Sequence, residues 1–286
     1  MNLVKIIGAS SGIGADDSRC AEGPVHIKNN LKQFGEPFSR FTWHATLHSH
    51  SLSEPIENIA DFCLRLAQQT YILTYHNQKF VILGGDHSCA IGTWSGIAAA
   101  TKDQGELGLV WIDAHMDAHT PKTTESGNIH GMPIAVLLGA GDWRLTNILS
   151  FAPKIKPKNI CLIGVRSYEL EESKFLQALG VKIYFIEEVL KRGISNVINE
   201  AVQYVKQSTI GYGISIDLDA FDPIQVPGTG LPVNNGINVE EFLASLVCLS
   251  QDQKLFATEI VEYNPYFDIN NKTAKVILQI LNTIYK

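Results

Sequence analysis

Leu107 to Asp117 reads Leu-Gly-Leu-Val-Trp-Ile-Asp-Ala-His-Met-Asp, an apolar run that ends in three metal-capable side chains, Asp113, His115 and Asp117. On an extended chain, side chains two apart point to the same side, so these three are expected to converge. Two further apolar runs end in the same way. Phe80-Val-Ile-Leu leads into Gly-Gly-Asp-His-Ser with His87, and Tyr212 to Ile216 leads into Asp217-Leu-Asp219. In an open parallel sheet, sites form outside the carboxyl ends of strands, where all six residues fall. Four carboxylates and two imidazoles without a thiolate suit a harder divalent ion such as Mn²⁺ better than structural zinc. Six ligands exceed what one ion uses while keeping room for water. The count therefore points to two ions sharing bridging carboxylates, roughly 3.5–4 Å apart, with an acidified water between them. A lone Asp at a strand end is usually a helix cap, and a lone His a satisfied polar residue. The threefold recurrence is what argues for a metal centre.

The elements that would position these residues alternate along the chain. Strands are expected at Val4–Gly8, Phe41–Leu47, Phe80–Leu83, Leu109–Ile112, Asn159–Val165, Lys182–Ile186, Tyr212–Ile216 and Leu255–Val261, the last ending at Glu262. Helical spacing of apolar residues marks Ile56–Asn77, a segment through Ala98–Ala100 that Ser88 is placed to cap, and a segment after Pro133 running to Leu138. The same pattern covers Glu169–Leu179, Ile194–Val205, Val239–Ser250 and Thr273–Ile284. About eight strands alternating with helices predict one mostly parallel sheet covered on both faces. With no repeat, low-complexity tract or linker, residues 1–286 read as a single domain.

At 286 residues the chain is long enough to bury a sizeable core. A net charge of -6 and no dense Lys/Arg run exclude a general nucleic-acid binder. The N-terminus lacks the pattern of a signal peptide, and no apolar stretch has the length of a membrane span, so a soluble cytoplasmic protein is expected. The cysteines at 20, 63, 89, 161 and 248 are scattered and odd in number, as expected of free thiols in a reducing compartment. Cys89 alone falls near a candidate ligand.

Gly8-Ala-Ser-Ser-Gly-Ile-Gly14 matches the glycine-rich turn of short-chain dehydrogenases. That mechanism needs a helix beginning at the last glycine, to face a pyrophosphate. Here Gly23-Pro24 cuts off any long helix, and the Tyr75/Lys79 pair sits too early for the matching catalytic motif. A loop flanking the active site is the expected role. His44, His48 and His50 are expected mostly in a loop, with a surface or structural role.

Gly-Gly-Asp-His-Ser at 84–88, Asp-Ala-His-Met-Asp at 113–117 and Ser-Ile-Asp-Leu-Asp-Ala-Phe-Asp-Pro at 215–223 together give the chain its resemblance, over nearly its whole length, to the ureohydrolases, the arginase and agmatinase family. The resemblance implies a three-layer αβα sandwich with an eight-stranded parallel sheet. It implies two Mn²⁺ per subunit, one held by His87, Asp113, Asp117 and Asp217, the other by Asp113, His115, Asp217 and Asp219. Ser126-Gly-Asn128-Ile-His130-Gly-Met-Pro looks like arginase rather than agmatinase. By that likeness Ser126 and Asn128 hold a substrate α-carboxylate, His130 relays a proton, and Glu262 pairs with the guanidinium. A hydroxide bridging the ions would attack the guanidinium carbon of L-arginine, with Asp117 stabilising the tetrahedral intermediate, to give L-ornithine and urea. The resemblance also implies a homo-oligomer, a trimer or hexamer, acting on a small guanidino substrate.

Three positions depart from the family pattern, all in substrate recognition. His119 stands for an Asn that contacts the α-carboxylate, Glu169 for an Asp that reaches the α-amino group, and Leu231 for a Thr close to the guanidinium pocket. The reaction class is therefore firmer than the substrate. Agmatine or a guanidino acid is the alternative substrate, and a weakly active metal-binding regulator the alternative role.

Overall fold

The computed structural model describes residues 3–31, 38–50, 54–250 and 252–286. Strands β1 (Val4–Ser10), β2 (Phe41–His48), β3 (Phe80–Gly84), β4 (Leu107–Ile112), β5 (Ile160–Val165), β6 (Lys182–Phe185), β7 (Gly211–Asp217) and β8 (Leu255–Val261) form one sheet. Their order is β2-β1-β3-β8-β7-β4-β5-β6, and every neighbouring pair is parallel. The helices are α1 (Gly23–Asn30), α2 (Pro55–Tyr75), α3 (Cys89–Thr101), α4 (Pro133–Leu137), α5 (Trp143–Thr146), α6 (Leu170–Leu179), α7 (Ile186–Arg192), α8 (Ile194–Lys206), α9 (Val239–Ser245) and α10 (Lys272–Ile284).

Parallel strands require crossovers, and the crossover helices bury both faces of the sheet. β4 shows how its sequence does this. Leu109 and Trp111 pack into one core with Phe62 and Leu66 of α2, Trp94 of α3 and Ile134 of α4. Val110 and Ile112 face the other, with Val197 and Ala201 of α8, Phe242 of α9 and Ile277 of α10. Each such fully buried side chain contributes roughly 1.5–3 kcal/mol. A three-layer αβα sandwich results. Gly213 of β7 is needed for closeness rather than flexibility, because a Cβ there would lie 1.9 Å from the Trp94 ring.

As expected, no helix begins at Gly14. Several other local expectations change. Gly23-Pro24 opens α1 instead of ending one, with proline in the first turn where its fixed φ fits and its missing N–H is not needed. The helix expected over Val239–Ser250 stops at Ser245 and tightens into a 3₁₀ turn, Leu246–Leu249. There Ser245 Oγ donates to the Phe242 carbonyl at 2.6 Å, a local bond that competes with the helical ladder. His44 and His48 lie in β2 rather than in a loop, and both, with His50, are exposed. Cys20, Cys63, Cys89 and Cys161 are buried free thiols, and Cys248 is an exposed one.

Candidate metal centre and active site

β3, β8, β7 and β4 are consecutive neighbours in the middle of the sheet, and all run the same way. Their carboxyl ends therefore bring His87, Glu262, Asp217/Asp219 and Asp113/His115/Asp117 together. Convergence does not come from an extended chain, as the two-residue spacing suggested. β4 ends at Ile112, and the backbone bends so that Asp117 sits at φ 48°. Glu262 also has a positive φ, 66°. Non-glycine residues in this left-handed region cost about 1–3 kcal/mol, which the surrounding structure must offset.

His87 Nδ1 lies 3.2 Å from Asp113 Oδ2, 3.2 Å from Asp117 Oδ2 and 3.1 Å from Asp217 Oδ2. His115 Nδ1 lies 3.0 Å from Asp219 Oδ2 and 3.5 Å from Asp113 Oδ1. Asp113 thus presents one oxygen to each imidazole, the arrangement of a carboxylate shared between two ions. The second oxygen of Asp217 accepts from the Asp219 N–H at 2.9 Å, so its contacts favour the His87 side over an equal share. Trp111 fixes this floor. Its ring stacks on His87 with centroids 3.9 Å apart, and its Nε1 donates to Asp113 Oδ2 at 2.9 Å.

The hydrogen bonds behind His87 test whether these donors fit a cation. Trp94 Nε1 and Ser215 Oγ both donate to Glu259 Oε2, at 3.0 and 2.7 Å. With its proton so used, Ser215 can only accept from His87 Nε2–H, 2.9 Å away. The neutral tautomer assigned by this network then aims the bare lone pair of Nδ1 at three carboxylate oxygens. That is repulsive unless a positive charge lies between them. Without a metal a proton must serve. Burial lowers the affinity of His87 for it, but Asp113, Asp117 and Asp217 hold its pKa well above the ordinary value. His115 is likewise raised against burial by Asp219 and Asp113. Asp217 is pushed well up by burial and then by Asp219 and Asp113, and Asp117 to about 6 by burial and Asp113. A buried cluster with four carboxylates is short of cationic charge, and divalent ions would neutralise it. The donor set fits.

Beside this cluster, His130 Nδ1 lies 3.1 Å from Glu262 Oε1, the oxygen that also accepts from the His87 N–H at 2.8 Å. Burial lowers the His130 pKa, but Glu262 outweighs it and the value rises to about 9. A cavity of about 340 Å³ opens over the cluster. Asp117, His130, Thr229 and Glu262 line it, together with Ser126, Asn128, His119, Glu169 and Leu231. His119 Nε2 is 2.9 Å from Glu169 Oε2 and 3.4 Å from Glu172 Oε2. Leu231 is 54% exposed, which puts it at the rim of the cavity rather than deep within it.

A family model described as the arginase family matches residues 2–285. The arginase of Bacillus caldovelox is 44% identical over 72% of this chain and 68% of that protein, and the arginase of Brevibacillus brevis 34% identical over 99% and 97%. A crystal structure of Bacillus subtilis arginase superposes with a TM-score of 0.88 at 33% identity, covering 99% of this chain and 98% of that one. The chain belongs to the arginase family.

Within this arginase fold, two groups at the site, Glu172 and Thr229, go unassigned in the sequence analysis. Glu172 is buried, its oxygens accepting from the Ala118 and Glu169 N–H groups at 2.9 and 3.1 Å, and burial with the neighbouring Glu169 carboxyl raises it to about 8. The signal was available in the spacing, because a glutamate three residues into a helix closes back on the residue that starts it. Thr229, which lines the cavity with Glu262, carries a buried hydroxyl with no hydrogen-bond partner among the described residues. Ser88 does not cap α3. The Asp86 carboxylate accepts from the Ser88 N–H at 2.8 Å instead.

Proposed function

We propose that this protein hydrolyses L-arginine to L-ornithine and urea at a centre of two Mn²⁺ ions, within one domain spanning residues 1–286. His87, Asp113, Asp117 and Asp217 would hold one ion, and Asp113, His115, Asp217 and Asp219 the other. When bound, the ions would supply an acidified water and positive charge where the guanidinium carbon gains electron density. The protein's own residues do the rest. Glu262 orients the guanidinium by paired charge-assisted hydrogen bonds. Asp117, the most exposed of the four carboxylates, would stabilise the tetrahedral intermediate by accepting a hydrogen bond from a group attached to the reacting carbon. His130, raised to about 9 by Glu262, carries a proton at neutral pH and passes it to the departing amine. Ser126, Asn128 and His119 would take the α-carboxylate, with Glu169 reaching for the α-amino group. We also propose a cytoplasmic homo-oligomer, a trimer or hexamer as the family resemblance implies, with no nucleic-acid or membrane partner.

One observation carries the reading. Four of the six candidate ligands, His115, Asp117, Asp217 and Asp219, line one cavity with His130, Glu262, Ser126, Asn128, His119 and Glu169, and His87 and Asp113 cluster with them. The test is urea release by Mn²⁺-loaded protein, with L-arginine and agmatine run side by side. Arginine strongly preferred supports it. Agmatine preferred overturns the head-group roles, and no urea from either substrate with manganese bound favours the regulatory reading.

A further inference from the structure

The glycine string Gly8–Gly14 takes no part in the reaction as proposed, and neither does the fully buried carboxylate of Asp86, yet the two meet. Gly14 N–H donates to Asp86 Oδ2 at 2.9 Å, while the other oxygen accepts from Ser88 N–H at 2.8 Å. Gly85 N–H donates to the Ala9 carbonyl and Asp86 N–H to the Ser11 carbonyl, each at 2.9 Å. Contact is too close for side chains. A Cβ at Gly85 would lie 1.8 Å from the Ser11 carbonyl oxygen, and one at Gly14 would lie 2.6 Å from Asp86 Oδ1. The string is thus laid flush along the turn that carries His87.

On its other side the same Gly14 residue meets His130, whose backbone N–H donates to the Gly14 carbonyl at 3.0 Å. His130 sits in a three-residue 3₁₀ turn, Ile129–Gly131, that has no side-chain cap. Its backbone is held from outside, by Gly14 and by the His119 N–H, which donates to the Gly131 carbonyl at 3.0 Å. The His130 imidazole then meets Glu262, whose own N–H donates to the Gly85 carbonyl at 2.7 Å. A closed circuit results, from Asp86 through Gly14, His130 and Glu262 back to residue 85.

We propose that Asp86 and Gly14 are positioning residues for His130. The Asp86 carboxylate fixes Gly14, and the Gly14 carbonyl fixes the backbone from which the His130 imidazole reaches Glu262 and the cavity. The proposal rests on His130 acting as the proton relay. Misplacing a reacting group by about 1 Å can cost on the order of 100-fold, so a loosened Gly14 should be felt in turnover and not in metal binding.

The test is a double-mutant cycle on the Mn²⁺-loaded full chain, with G14A and H130N separately and together, reading kcat, KM and manganese per chain. G14A should lower kcat by about 10- to 100-fold, with KM and manganese unchanged. H130N should lower kcat by about 100-fold or more, and the double variant should be no slower than H130N alone. A G14A penalty that recurs in full in the H130N background overturns the proposal, as does lost manganese or unchanged kcat. Should G14A fail to fold, D86N is read in the same cycle. Asparagine keeps the volume but can accept from only one of the two N–H groups. H130N at full turnover overturns the relay and the proposal together. H130N slow, with G14A and D86N at full speed, overturns the proposal alone.

Discussion

Glu262→Gln separates substrate binding from metal binding at this site. Glu262 Oε1 is committed to the His87 N–H and His130, so Oε2 is the oxygen left to the cavity. Glutamine can keep its carbonyl oxygen in the Oε1 place and preserve the contact with His87. It must then turn an amide NH₂ toward the substrate. A guanidinium offers only donors, so a charge-assisted acceptor is replaced by a donor facing donors. A hydrogen bond to a charged group contributes about 1.5–3 kcal/mol, and a buried donor left unpaired adds to the loss. We expect about 2–4 kcal/mol, roughly a 30- to 1000-fold fall in kcat/KM. Steady-state urea release over a range of arginine concentrations measures it, with manganese counted on the same sample. A kcat/KM within about threefold of the parent, with manganese in place, refutes Glu262 as the guanidinium partner. A fall that tracks lost manganese refutes it too, because Glu262 would then be acting through His87.

Stripping the metal should destabilise the fold. For each ion held about 1000-fold above its Kd the loss is about 4 kcal/mol, or roughly 8 °C in melting temperature for a chain of this size, and about twice that for two. Thermal melts with chelator and after Mn²⁺ is returned test this, and an unmoved transition refutes a built-in metal site. In the metal-free protein, the His130 resonance should titrate near 9 rather than 6.5, because Glu262, with Asp117 and Asp86 behind it, outweighs burial. A raised folded-state pKa gives stabilisation that is complete below about 6.5 and fades as pH rises through about 9. In the E262Q protein both the resonance and this loss should move toward lower pH, and an unchanged titration assigns the shift elsewhere. Ser215→Ala removes the acceptor that fixes the His87 tautomer and should weaken Mn²⁺ affinity by about 10- to 100-fold in competition with a chelating dye. Unaltered affinity would show that Trp111 stacking alone orients the ring.

The six proposed ligands were legible because strand ends compress the information. An apolar run long enough to cross a buried sheet, followed at once by Asp or His, states both where the residue lies and what it is near. What failed was the path between them. Asp113, His115 and Asp117 look extended in the sequence, but the strand ends at Ile112 and Asp117 has a left-handed backbone. Short helices such as α5 and α7, of four and seven residues, have too few turns to show a period. The roles of Asp86, Glu172 and Ser215 depend on partners as far as 72, 54 and 128 positions away, and no local pattern carries that.

The same contrast bears on what this chain can vary. The candidate ligands stand at the carboxyl ends of three central strands, β3, β7 and β4, where both faces are packed and a moved side chain would disturb two cores. The head-group residues stand on loops, Ser126 exposed in a turn closed by its own Oγ accepting from the Asn128 N–H at 3.2 Å. His119 and Glu169 are tied to each other across the rim at 2.9 Å, so the longer reach of Glu169 is partly taken up inside the protein. Under the roles proposed for them, changing either would shift how a substrate's amino and carboxylate ends are read without touching Asp113 or His87. Divergence within such a fold should therefore accumulate where Leu231, His119 and Glu169 lie, altering the preferred guanidino compound long before it alters the hydrolytic centre.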